Sequence, residues 1–312
     1  MNADKDIFGD IPINEAVKKY LDEKEAIGIL SRSSVKNRQY ELNRFSEFCA
    51  SKKIFHTSNL HKNAVVSYLK SLKIANSSKL NVIYVLTGFM DYLEDEGLII
   101  ENFASIIPKP KIYAPKIDYL TFDELETLFQ AAAQTSSRKT VDRNLLLMSL
   151  FTDICLRVSE AVQLRLPDVR LEEGVLWVTR KRGKVDKIPI HRDLGEKFVR
   201  WYDIRPEYKG HESDWVFLSS HGRPLKPRQV HNIVSSALQS AGILKRKQGP
   251  HLLRHSGASL KAQRGENLIM IQYLLGHENL NTTRKYLHFN WDDLRQMVDR
   301  SPALGNGNTV ER

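Results

Sequence analysis

Cysteine is nearly absent from this chain of 312 residues: Cys49 and Cys155 are the whole complement. They fall in separate segments of helical spacing, on either side of a proline-rich stretch. No disulfide framework follows, which argues against a secreted, disulfide-stapled fold. Long apolar runs are missing as well. No stretch of about 18 apolar residues occurs, and the start MNADKDIFGD lacks the basic-then-apolar layout of a signal peptide. Neither membrane insertion nor export is expected, and a reduced, cytoplasmic setting fits. Acidic residues are the minority charge, 37 Asp and Glu against 47 Lys and Arg, which leaves a formal +10 with histidines neutral. Such an excess favours nucleic acid, anionic lipid or an acidic protein as partner, although surface Lys and Arg also serve solubility alone. With 41% hydrophobic and 27% charged residues the chain is not disordered as a whole, and its length suits two domains.

The first hundred residues have the periodicity of helices. Ile13, Ala16, Val17, Tyr20 and Leu21 recur at the three-and-four spacing of one buried face. A second amphipathic segment around Ser33 sets Val35, Tyr40, Leu42, Phe45, Phe48 and Cys49 against many polar residues. Two more begin at Thr57 and Asn76, residue types suited to capping free amides, and Gly97 stops the last. A helical bundle over 11–103 is expected. In ASIIPKPKIYAPK three prolines forbid regular helix and lysines keep the stretch wet, so 104–118 is expected to be an interdomain linker. A second domain over 119–300 opens with Thr121 and Glu124, the spacing of a capping box. It continues with one long apolar helix from Asn144, a hairpin of VLWVTRK and KIPIH, a third strand from Trp215, and helices around 230–241, 252–264, 268–275 and 282–287. Residues 301–312 have the composition of a disordered tail. The fold class is mainly α with a small antiparallel β-sheet.

Polar functional groups are densest in HLLRHSGAS and QYLLGHENLNTTRKYLH. His251 and His255 stand four apart as in the zinc pattern H-E-x-x-H, but Leu252 occupies the place of the water-activating glutamate, and no metal site is expected. His251 and Arg254, three apart on one helix, bring two donors together for a phosphate, or serve solubility. Arg157 in ICLRVSEAVQL sits in apolar surroundings, where a guanidinium must find a buried partner, such as Glu160, or an anionic ligand. The hairpin VTRKRGKVDKIPIHR carries Arg180, Lys181, Arg182, Lys184, Lys187 and Arg192 against Asp186 alone. That suits a DNA groove, or a solvated edge that resists aggregation. Tyr286, beside Arg284, Lys285 and His288, makes poor core; with a phenol pKa near 10, it attacks well only where cations or a base help it ionise.

Arg157 in LRVSE, a lysine of the basic hairpin, His251-Leu-Leu-Arg254, Leu275-Gly276-His277 and Tyr286 in TTRKYLH resemble, in order and spacing, the tyrosine recombinase or phage integrase family. The helical first hundred residues look like that family's core-DNA-binding domain, so the resemblance spans almost the whole chain. It implies that Arg157, His251, Arg254 and His277 surround a scissile phosphate, that Lys181 protonates the leaving 5′ oxygen with Lys184 as second choice, and that Tyr286 attacks phosphorus. Glu160 and His255 would give structural support. Arg180, Arg182, Lys184, the linker residues Lys109 and Lys111, and the run Lys245, Arg246, Lys247 would bind DNA backbone. The products would be a 3′-phosphotyrosyl bond and a free 5′ hydroxyl, with arginines and imidazoles in place of divalent metal and no cofactor or ATP.

Two departures stand out: Cys155 where the family usually has glycine, and RKRGK in the hairpin where GKGNK is usual. The resemblance further implies double-stranded DNA as partner and a homotetramer in the synaptic complex, formed from free monomers or dimers, with the segment from Trp291 docking into a neighbour. Little room for an arm-reading module precedes Ile11, which favours an Xer-like or mobile-element recombinase. Relaxation of the type IB topoisomerase kind and a catalytically silent DNA-binding regulator are the competing readings.

Overall fold

The computed structural model describes residues 9–30, 32–111 and 118–276, and the chain divides into two compact units, Met1–Pro115 and Lys116–Arg312. His277, Tyr286, the segment from Trp291, the tail 301–312 and linker residues 112–117 lie outside the described residues.

Four helices build the first unit: α1 (Ile13–Ala26), α2 (Arg32–Ser51), α3 (Lys62–Ser71) and α4 (Asn76–Asp95). The apolar stripe of α1 is buried at the five expected positions, against Leu42 and Phe45 of α2, Tyr68 of α3 and Phe89 of α4. Aromatic edges lock the layers, Tyr20 on Phe89 at 5.6 Å and Phe45 on Tyr68 at 5.2 Å between ring centres. The expected side-chain caps do not form. Thr57 opens only a 3₁₀ turn, α3 starts after His61, and α4 starts after Ala75, neither with a capping side chain. Past α4, buried Asn102 draws the chain back: its amide donates to Thr87 O and Asp91 Oδ1, and its Oδ1 accepts from the amides of Ala104 and Ser105. Ala104 is buried in the first core and Ile107 packs on it, so the start of the proline-rich stretch belongs to this unit rather than to a free linker.

The second unit is built around α6 (Val141–Thr152), which is buried along most of its length. Before it comes α5 (Phe122–Thr135), whose capping box forms in both directions between Thr121 and Glu124. The long helix expected from Asn144 is broken: α6 ends at Thr152 and the short α7 (Val158–Val162) starts afresh. The sheet is antiparallel in the order β1 (Val169–Arg170), β2 (Val175–Thr179), β3 (Val185–Pro189), with Val178 opposite Asp186 and Leu176 opposite Ile188. The third strand therefore precedes the hairpin. The segment from Trp215, expected as a strand, makes only isolated bridges, Arg165 to Trp215 and Leu218 to Pro224. Outer helices α8 (Arg192–Ile204) and α9 (Pro227–Ser240) bury Trp201, Phe198, Val230 and Val234 in the same core.

Two last helices, α10 (Pro250–Gln263) and α11 (Leu268–Leu275), carry the segments singled out for chemistry. α10 lies directly on α6: a Cβ at Gly257 would fall 2.0 Å from Thr152 O and 2.8 Å from its carbonyl carbon. Backbone meets backbone there, so no side chain can yield. Gly257→Ala is expected to lower stability by about 1–3 kcal/mol, the usual cost of overpacking a core, read as a fall in the urea midpoint. An unchanged midpoint would place the two helices further apart than described. Among the described residues no helix is long and apolar enough to cross a membrane.

Candidate active site

The break after α6 creates the first part of the site. Cys155 takes φ +55°, the left-handed region where a side chain is strained and glycine is at ease. The cysteine that departs from the family pattern thus sits where the backbone itself favours glycine, and in return its side chain is fully buried beside Ala258, Ile271 and Leu275. Burial pushes its thiol pKa up, so it packs as a neutral group. Two residues on, Arg157 is the N-cap of α7 rather than a residue inside a helix. Its amide donates to Glu160 Oε2 and its Nη1 to Glu160 Oε1, both at 2.7 Å. Glu160 is the buried partner that the sequence suggested.

Alternation along β2 and β3 supplies the second part. Val178 faces inward, so Arg180 does as well, and on the paired strand Asp186 faces inward opposite Val178. The resemblance implies a DNA-facing place for Arg180. It is instead buried at 7% exposure, with Nε on Asp186 Oδ2 at 3.1 Å and Nη1 on Glu160 Oε2 at 2.7 Å. Register is the signal that would have found it: a residue two past Val178 shares its face.

The third part is the C-terminus of α11, where successive carbonyls have no helical partner. Three arginines from three elements fill those places. Arg180 Nη2 donates to Leu274 O at 3.0 Å, Arg254 Nη2 to Leu275 O at 2.6 Å, and Arg157 Nη2 to Gly276 O at 3.0 Å. Cations at a helix C-terminus also meet the negative end of its dipole. Gly276 ends α11 at φ +52°, and a Cβ there would lie 3.0 Å from Arg180 Nε, so glycine makes room for the guanidinium. Arg254 is buried on α10, and its Nη1 also bonds Cys155 O and lies 3.8 Å from Glu160 Oε2.

Three guanidiniums against Glu160 and Asp186 leave this cluster with a net positive charge, and Arg157, with its side chain one third exposed, presents that charge at the edge. Such a site stabilises negative charge that develops on a bound anion. His251 is exposed on α10 and His255 is half-buried one turn on, with ring centres 6.5 Å apart. Lys181 is exposed in a 3₁₀ turn over Lys181–Gly183, and among the described residues no carboxylate pairs with it. Lys184, also exposed, reaches Asp186 Oδ1 at 3.2 Å. Only the backbone of Arg182 is described.

The more distant basic residues are not gathered into this cluster. Lys245 is tied to Glu124 at 2.7 Å, the Arg246 amide bonds Asp118, and Lys247 is exposed. Lys109 and Lys111 are exposed in the first unit, Lys109 over the ring of Tyr84 at 5.0 Å. Among the described residues no group of three or more His, Cys, Asp or Glu is placed to hold a metal ion.

A helical unit is followed by an α+β unit in which three arginines gather at the LG that precedes His277, a cation-lined cluster suited to an anion such as a phosphate. Residues 118–292 match the phage integrase family, and the chain belongs to it. It is a tyrosine recombinase of Xer type, an enzyme that cleaves and rejoins DNA. Tyrosine recombinase XerC of Thermodesulfovibrio yellowstonii is 33% identical over 224 residues, 70% of this chain and 73% of that one. Tyrosine recombinase XerH of Campylobacter jejuni is 28% identical over 307 residues, 92% of this chain and 85% of the relative. Among solved structures, the XerH site-specific recombinase bound to difH substrate in a pre-cleavage complex matches with a TM-score of 0.72 at 25% identity, covering 92% of this chain and 84% of that one. A lambda integrase dimer bound to a COC′ core site matches at 0.73 and 18% identity over 97% and 81%, a likeness of fold.

Proposed function

We propose that this chain is a site-specific recombinase that binds double-stranded DNA and exchanges strands through a 3′-phosphotyrosyl intermediate without metal or ATP. The observation that carries the proposal is the convergence of Arg157 and Arg254 on the carbonyls of Leu275 and Gly276, immediately before His277. In this reading Tyr286 attacks the phosphorus and the 5′ oxygen leaves with a proton from Lys181, while Arg157, Arg254, His251 and His277 meet the charge on the phosphorane. Lys181 is favoured over Lys184 because the Lys184 ammonium is engaged by Asp186. Recombination joins two duplexes at four sites, so the working form is a homotetramer on DNA, assembled from free monomers or dimers in the cytoplasm. Relatives named XerC and XerH favour chromosome dimer resolution over integration or excision of a mobile element.

The test is to incubate the protein with nicked duplexes from its own genomic surroundings, in chelator, and resolve covalent adducts on a denaturing gel. An adduct confined to one short sequence, with exchange between two copies of it, is the expected result. Sequence-independent relaxation by monomers would assign a topoisomerase, and binding without any adduct a silent regulator.

A further inference from the structure

Arg180 opens the hairpin turn RKRGK, and it does more than fill space. Its side chain is 4% exposed, and all three guanidinium nitrogens are engaged, by Asp186, Glu160 and Leu274 O. Its own amide donates to Lys184 O at 2.6 Å and closes the turn that holds Lys181, Arg182 and Gly183. One residue therefore both closes the turn and ties it to the carboxylate that Arg157 uses. Lys181 follows one peptide bond later, so its Cα lies about 3.8 Å from a fixed point, although its side chain is exposed. Exposed hairpin tips without such ties move freely on the scale of nanoseconds to microseconds, and a proton donor displaced by about 1 Å can lose about a hundredfold in rate.

We propose that Arg180 is a positioning residue for proton transfer: its buried guanidinium ties the Lys181 turn to Glu160 and to the end of α11, and so holds the lysine where the leaving 5′ oxygen will be. The inference rests on the reading of Lys181 as the proton donor. It gives Arg180, whose side chain is buried, a role other than a surface contact to DNA.

The test compares wild type, Lys181→Ala, Arg180→Ala and Arg180→Lys on a normal nicked duplex and on one with a 5′-bridging phosphorothiolate, whose sulfur leaves without a proton. Single-turnover cleavage, DNA affinity and thermal melting are read for each. Arg180→Ala is expected to cleave the normal substrate about 10- to 100-fold more slowly, to return to within about threefold of wild type on the phosphorothiolate, and to keep its DNA affinity; Arg180→Lys should fall between. A defect of equal size on both substrates, or no defect on either, overturns the inference. If Arg180→Ala does not fold, Asp186→Asn removes the negative charge that Arg180 Nε and the Lys184 ammonium share and, compared with Lys184→Ala to separate the second contact, decides in its place: a smaller defect rescued by sulfur and absent from Lys184→Ala supports the inference, and any other outcome overturns it. Failure of the underlying reading is distinct. Wild type would then give no adduct on either substrate, or Lys181→Ala would not be rescued, whereas rescue of Lys181→Ala without rescue of Arg180→Ala removes Arg180 alone.

Discussion

Tyr286→Phe is expected to abolish the covalent protein–DNA adduct while leaving DNA affinity within about twofold of wild type. The substitution removes one oxygen, and without it no other atom of that side chain can bond to phosphorus. A phenol with a pKa near 10 needs help to attack at neutral pH, and the help available in sequence is dense: Arg284, Lys285 and His288 surround it, and Gly276, ten residues earlier, is where the arginines gather. Sequence-independent affinity rests on many lysines and arginines meeting backbone phosphates, so the loss of one hydroxyl changes it little. Two measurements suffice, adduct on a denaturing gel and binding by titration. Adduct that survives in Tyr286→Phe would move the nucleophile to another residue.

Glu160→Ala is expected to cost about 3–5 kcal/mol of stability, the range for removing one partner of a buried ion pair. Glu160 is 4% exposed and serves three arginines: Arg157 through Oε1, Arg180 through Oε2, and Arg254 at 3.8 Å from Oε2. Taking it away leaves Asp186 as the remaining carboxylate among the described residues of the cluster, and desolvated guanidiniums without an anion are costly. The cost has a specific remedy. Sulfate or phosphate entering beside Arg157 would replace the missing charge, so either anion should raise the variant's melting temperature more than that of wild type. Chemical unfolding gives the first quantity and melting against sulfate the second. A stability loss below about 1 kcal/mol would mean that water or the helix carbonyls already satisfy the arginines.

Parts of this architecture could be read from residue order, and the exceptions share a cause. The capping box at Thr121 and Glu124 depends on neighbours three apart, and it forms as its spacing predicts. The bounds of α11, 268–275, follow from Asn267 before it and Gly276 after it. Local chemistry decides both. The break at Cys155 was hidden because DICLRVSE contains no glycine or proline and keeps its apolar spacing; the bend is held by distant groups, with Arg254 of α10 on the Cys155 carbonyl. The segment from Trp215 has strand-like composition, but its bridges lead to Arg165 and Pro224 rather than to a neighbouring strand. The burial of Arg180 departs from the surface position its charged neighbours suggest, for a related reason. A run of charge around a turn suggests a wet tip, yet pairing fixes which members turn inward. The arginines and Glu160 were legible as residue types in unusual surroundings, whereas their meeting at one helix end was not, since that depends on α7, β2 and α10 arriving together.

That meeting has a consequence for how the enzyme divides its effort. Carbonyls of α11 and two carboxylates hold the three guanidiniums in place before any DNA arrives, so their dipoles and charges are oriented during folding rather than during the reaction. In the proposed mechanism, such preorganisation would remove the reorientation that water would need to solvate a phosphorane. The same set of buried charges is what apolar packing would outperform in stability alone. The end of α11 is therefore expected to be a local stability minimum kept for catalysis: substitutions that make it greasier and firmer should yield a protein that melts later and cuts more slowly.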